Sequence, residues 1–183
     1  MDSKLQIISG MYRGRKLSLP AGARPTQNRA RMALFNMMSS LDVQPAQVWD
    51  AFAGSGAFGI ECLSRYPNVN VVFTDVAPAS IKTVQQNLAL LNVGARASVY
   101  QCDAMARISQ FGAVSDLIFI DPPYADHQVG SAFVRKLALA VRVGTILIWE
   151  QEIANQYEPD ETVWEILRDK QYGRARFLIL QRI

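Results

Sequence analysis

Short continuous apolar runs alternate along this chain with longer stretches in which apolar residues return every three or four positions. Val48-Trp49-Asp50-Ala51-Phe52 is one such run and ends at the turn Gly54-Ser55-Gly56. Val69 to Thr74, β-branched and aromatic, is a second, closed by Asp75. Ala97 to Tyr100, Asp116 to Asp121 and Thr145 to Trp149 give three more. Between them, residues 57–65 suit a helix stopped by Pro67-Asn68. Pro78 sits at the first turn of another helix, in which Ile81, Val84, Leu88 and Leu91 share one face and Gly94 marks the stop. Val129 to Val141 reads as a further helix. Strands apolar on both faces and separated by helices predict a parallel sheet covered on both sides, a doubly wound, Rossmann-like α/β fold.

The two ends of the chain break this rhythm. Thr162 to Leu167 and Arg176 to Leu180 read as strands joined through Asp169 to Gly173. That connection has no room for a crossover helix, so it predicts a C-terminal antiparallel hairpin. The first residues combine Gly10, Gly14, Pro20, Gly22 and Pro25 with basic side chains, before a helix expected from Thr26 or Gln27 to about Leu41. The expected organisation is a basic arm and helix over 1–45 on a domain over 46–183.

Composition narrows the class. At 183 residues, half of them hydrophobic, the chain suits one globular domain and excludes a disordered segment or a disulfide scaffold. Cys62 and Cys102 both lie among apolar residues, as buried free thiols would. Neither a targeting signal nor an apolar stretch of bilayer length is evident, which points to the cytoplasm and away from a membrane. The net charge of +3 is unevenly divided: residues 1–49 carry +5 and the remainder −2. A basic arm on a mildly acidic body suggests a polyanionic partner.

Gly54-Ser55-Gly56-Ala57-Phe58-Gly59 matches G-x-G-x-x-G between a strand and a helix, a pattern shared by many nucleotide-binding folds. Asp50, four positions earlier, discriminates among them. A carboxylate there does nothing for a pyrophosphate but attracts an ammonium group, which favours S-adenosylmethionine over NAD. Asp75 ends the second strand, where a carboxylate can accept both ribose hydroxyls, and Asp103 follows the third, within reach of an adenine amino group.

Asp121-Pro122-Pro123-Tyr124 is the most specific feature. An exocyclic amino group on a purine or cytosine is a poor nucleophile, because its lone pair is delocalised into the ring. The Asp121 carboxylate and the Pro122 carbonyl can accept its hydrogens, while Tyr124 offers a stacking face. No Cys/His cluster has metal-ligand spacing, so no metal is expected. His127 reads as a solvated loop residue, and Glu150 and Glu152 as groups at the rim or in the framework, Glu150 being also a site candidate.

Asp50 to Gly56 taken with Asp121 to Tyr124 resembles class I methyltransferases acting on an amino nitrogen. Ile8-Ser9-Gly10, Arg13 to Leu17, Pro20, Arg24-Pro25-Thr26, Arg29, Arg31 and Leu34-Phe35-Asn36 resemble, more narrowly, the family that methylates guanine N2 in bacterial 16S ribosomal RNA. Asn28, Met32, Asp75 and Asp126-His127 depart from that family's usual residues. The resemblance implies a seven-stranded sheet, S-adenosylmethionine as donor, Phe52 and Ala104 beside the cofactor acids, and Asp121 with Pro122, Pro123 and Tyr124 at a flipped guanine. It implies that Arg13, Arg15, Lys16, Arg24, Arg29 and Arg31 contact RNA phosphates, that Thr26 lies near the site, and that a monomer acts on 16S RNA or the small subunit. A DNA or other RNA amino-methyltransferase, and a non-catalytic RNA-binding assembly factor on the same fold, remain open alternatives.

Overall fold

The computed structural model describes residues 5–22, 28–123 and 127–183. The readings of Arg24, Thr26, Tyr124 and Asp126 lie outside these residues, as does the side chain of His127. The elements are α1 (Asn28–Ser40), β1 (Gln47–Asp50), α2 (Ala57–Arg65), β2 (Asn70–Asp75), α3 (Pro78–Leu91), β3 (Ala97–Gln101), β4 (Leu117–Ile120), α4 (His127–Leu137), β5 (Ile146–Glu152), β6 (Trp164–Tyr172) and β7 (Ala175–Arg182). The strands form one sheet in the order β3-β2-β1-β4-β5-β7-β6. The first five strands in sequence run parallel, and β7 lies antiparallel between β5 and β6. Strand order reverses between β1 and β4, and in such sheets the crevice for a ligand opens at the carboxyl ends beside that reversal.

Alternation along the strands divides the core between two faces. Val48, Phe73, Phe119 and Ile148 pack on one side with Leu34 and Phe35 of α1, Ile60 and Leu63 of α2 and Val84 of α3. Trp49, Ile118, Ile120 and Leu147 pack on the other with Phe133 and Leu137 of α4. The buried indole of Trp49 donates to the Thr74 hydroxyl at 3.0 Å, and that hydroxyl donates to the Ala51 carbonyl at 2.8 Å. Adjacent strand ends are thereby tied where the glycine turn begins.

The arm belongs to this core. Leu5, Ile7 and Leu17 are buried against α1 and α2. Gly10 has φ +84°, and a side chain there would place its Cβ 2.0 Å from the Ser64 carbonyl oxygen of α2. The next amide, that of Met11, donates to the same oxygen at 2.8 Å. Glu61, buried on α2, accepts the amides of Ile8 at 2.8 Å and Ser9 at 2.9 Å. The arm is thus stitched to the helix that carries the glycine turn.

Three readings need correction. The hairpin strands are longer than their apolar runs: Asp169 to Tyr172, expected to be a connection, pair with Leu178 to Ala175. β6 is an edge strand, so backbone pairing rather than an apolar pattern holds these polar residues. α4 ends at Leu137, and tighter turns carry the chain through Ala138 to Val141. Cys62 is buried, but Cys102 is half-exposed; both are free thiols. Among the described residues no helix is long and apolar enough to cross a membrane.

Candidate active site

The carboxyl ends of the parallel strands open into a crevice of about 940 Å³. Its floor is the turn after β1. Gly54 and Gly56 take left-handed backbone, with φ +54° and +75°. At Gly54 a Cβ would meet nothing within 4 Å, so the backbone faces open space where a ligand can approach it. Gly56 serves differently: its Cβ would press on Val84 and Ile60, so it packs the turn against the core.

Asp50 lies at the end of β1, fully buried. One carboxyl oxygen, Oδ2, accepts the Gly59 amide of α2 at 3.1 Å, while Oδ1 has no partner. Burial pushes its pKa up to about 8; the Gly59 amide opposes the shift, and the neighbouring Asp75 and Asp121 add to it. Asp75, at the end of β2, accepts the Gly54 amide on Oδ2 and the Ala77 amide on Oδ1, both at 2.9 Å. Each of its oxygens retains a second lone pair. Asp103, past β3, caps a short turn through the Met105 amide at 2.9 Å. Phe52 and Ala104 line the crevice with these acids.

Asp121 enters from β4. Register places Ile120 opposite Trp149, so the next residues, Asp121 and Glu150, emerge side by side from adjacent strands. Burial raises Asp121 to about 7. Glu150 is raised well above the usual carboxylate range, by burial first and then by Asp121. Glu150, read from sequence as a rim or framework group and as a site candidate, is buried and forms part of the crevice wall. Its signal was its place after the last apolar residue of the strand next to Asp121. Pro123 lines the crevice; Pro122 is buried behind it, close enough that a Cβ on Gly130 would lie 3.0 Å from its ring.

The crevice therefore gathers Asp50, Phe52, Gly54, Asp75, Asp103, Ala104, Asp121 and Pro123, with Gly56 and Pro122 packed behind. Arg13, Arg15 and Lys16 on the arm and Arg29 on α1 are exposed and stand outside it. Arg15 donates to the Leu90 carbonyl at 2.8 Å and lies over the Tyr12 ring. Arg31 departs from the expected basic face: it is 3 % exposed, lines the crevice and lies 3.9 Å from Glu61. It follows the other arginines in sequence, but helical periodicity turns it inward. The donor set suits S-adenosylmethionine: an open glycine turn, ribose acceptors on Asp75 and an unpartnered buried carboxyl oxygen on Asp50 for an ammonium.

The Conserved hypothetical protein 95 family matches the chain over residues 5–181. Ribosomal RNA small subunit methyltransferase D of Escherichia coli is 34% identical over 184 residues, covering 99% of this chain and 91% of that protein. The putative rRNA methyltransferase YlbH of Bacillus subtilis is 36% identical over 68% of this chain and 70% of its own length. Among solved structures, a putative methyltransferase, yhhF, from Escherichia coli superimposes with a TM-score of 0.83 at 32% identity, covering 97% of each chain. From sheet order, crevice and these likenesses together, the chain has the class I methyltransferase fold and belongs to the Conserved hypothetical protein 95 family.

Proposed function

We propose that this protein transfers a methyl group from S-adenosylmethionine to the N2 amino group of a guanine in 16S ribosomal RNA, acting as a monomer in the cytoplasm. The observation that carries this reading is the opening of Asp121 and its proline turn onto the same crevice as the glycine turn and its three acids. The name of the Escherichia coli relative, a small subunit ribosomal RNA methyltransferase, supports the choice of RNA. Asp75 would take the ribose hydroxyls, Asp103 the adenine amino group and Asp50 the ammonium. When bound, S-adenosylmethionine supplies an electrophilic methyl carbon on a sulfonium.

Asp121 accepts one hydrogen of the guanine amino group, and the Pro122 carbonyl the other, so the nitrogen lone pair is freed from the ring. So presented, the nitrogen would take the methyl carbon while the carbon–sulfur bonding pair leaves on the sulfur. The nitrogen then sheds one proton. Asp121, held above the usual aspartate range by burial, would be the group beside it to receive that proton. Tyr124 is assigned the stacking face for the extruded base. In this reading residues 1–45 are the RNA-facing unit and 46–183 the methyltransferase domain; Arg13, Arg15, Lys16, Arg24 and Arg29 bind phosphates, and Thr26 lies near the site.

The test is transfer of tritiated methyl groups to small subunits from a strain lacking this protein, followed by nucleoside analysis. N2-methylguanosine in 16S RNA is the expected product. Label on adenine N6 or cytosine N4, or in duplex DNA instead, overturns the acceptor assignment. No transfer to any nucleic acid overturns the enzyme itself.

A further inference from the structure

We infer that Arg31 is the anchor for the carboxylate of the methyl donor's amino-acid end, a subsite that rests on the S-adenosylmethionine reading above. Among the described residues, six carboxyl groups line the crevice (Asp50, Asp75, Asp103, Asp121, Glu150 and Glu152) against two guanidiniums, Arg31 and Arg174. An adenosyl amino acid brings a further carboxylate into this space, where a buried cation is its natural partner because burial strengthens every charge interaction. Of the two guanidiniums, Arg174 is exposed on the terminal hairpin, and only Arg31 is buried.

The bonding of Arg31 is incomplete in a way that points to a ligand. Nη2 donates to the Gln6 carbonyl and, at 3.2 Å, to Asn28 Oδ1. Nε and Nη1 are buried without a hydrogen-bond partner. Glu61 balances the charge, yet it does not complete the bonds. Its Oε1 accepts the Ser9 amide and Arg65 Nε at 2.8 Å, its Oε2 the Ile8 amide, and Arg31 Nε stands 3.9 Å from Oε2, beyond hydrogen-bond distance. A guanidinium stays charged at any physiological pH, and burying its donors unmet is costly. A carboxylate entering the crevice would meet both needs, while Asp50 Oδ1 receives the ammonium of the same amino-acid end.

Calorimetry with two ligands tests this without turnover: S-adenosylhomocysteine, and its decarboxylated counterpart S-adenosyl-3-thiopropylamine, which keeps the ammonium and thioether and lacks only the carboxylate. The wild type should bind the first about 10–100-fold more tightly, the span expected of a charged hydrogen-bonded contact. Arg31→Gln should lose that preference, binding S-adenosylhomocysteine weakly and the amine as the wild type does. Arg31→Lys should retain part of it.

A wild type that binds both ligands equally overturns the subsite, and this arm needs no variant to fold. An Arg31→Gln protein that keeps the full preference, or loses both affinities alike, overturns it as well. Failure of the wild type to bind either ligand overturns the donor reading of the crevice instead.

Discussion

Asp50 keeps a proton that an ordinary aspartate gives up. Unfolded, its carboxyl releases its proton near 3.8; folded, it holds it up to about 8. Between those values the folded chain binds the extra proton, so this group makes stability fall as pH rises. Asp50→Asn removes that contribution. Urea midpoints measured from pH 5 to pH 8 should fall less in the variant than in the wild type. An ammonium ligand favours the ionised form, so its binding at pH 7 should release a proton. The calorimetric heat should then vary with the ionisation enthalpy of the buffer, and affinity should rise from pH 6 to pH 8.

Asp121→Ala should lower kcat by about 10²–10³-fold, as expected when a proton acceptor and charge stabiliser is removed. The dissociation constant for S-adenosylhomocysteine should stay as in the wild type; single-turnover rates and calorimetry on the same preparation separate the two effects. Asp50 and Asp121 were legible because each follows apolar residues directly, and Asp75 and Asp103 because each stands at or just past the end of a strand that the sequence predicts. Arg31 is misplaced by sequence because charge predicts exposure, and only packing shows which charged side chains are buried.

At the scale of the element, α2 joins arm, glycine turn and sheet. Gly59 sits where it crosses β2, and a Cβ there would lie 2.4 Å from the Phe73 ring and 2.8 Å from Val71. Both neighbours are buried, so neither can swing clear. Gly59→Ala should cost ~1–3 kcal/mol by overpacking. For a chain of this size that is a melting point lower by ~2–4 °C per kcal/mol, readable by calorimetry. The third glycine of the sequence motif therefore serves helix-to-strand packing rather than the ligand directly. Parallel strands and their helices were evident from periodicity. β6 was only partly so, because an edge strand pairs on one side and carries polar residues such as Lys170 and Gln171 without an apolar repeat.

Across the whole molecule the charge is segregated, with the surplus on residues 1–49. If the exposed Arg13, Arg15, Lys16 and Arg29 neutralise phosphates, RNA affinity should fall steeply with salt. Each of these changed to Gln should flatten the plot of log K against log salt by roughly 0.7–0.9. Filter binding across a salt series reads the slope. Sequence alone separated arm from body by charge. The structure shows why the separation is not mechanical: Leu5, Ile7 and Leu17 share the core with α1 and α2.

The position of β7 bears on the order in which the sheet can close. Ala175–Arg182 is an interior strand, hydrogen-bonded to β5 on one side and β6 on the other. Everything synthesised before it can collapse around β1 to β5, yet the flank of β5 stays bare until these late residues clear the exit tunnel. Nascent chains stalled ahead of residue 175 should present that flank to chaperones or to one another. Closure of the sheet therefore waits on β7, whose arrival completes the pairing on both of its sides at once.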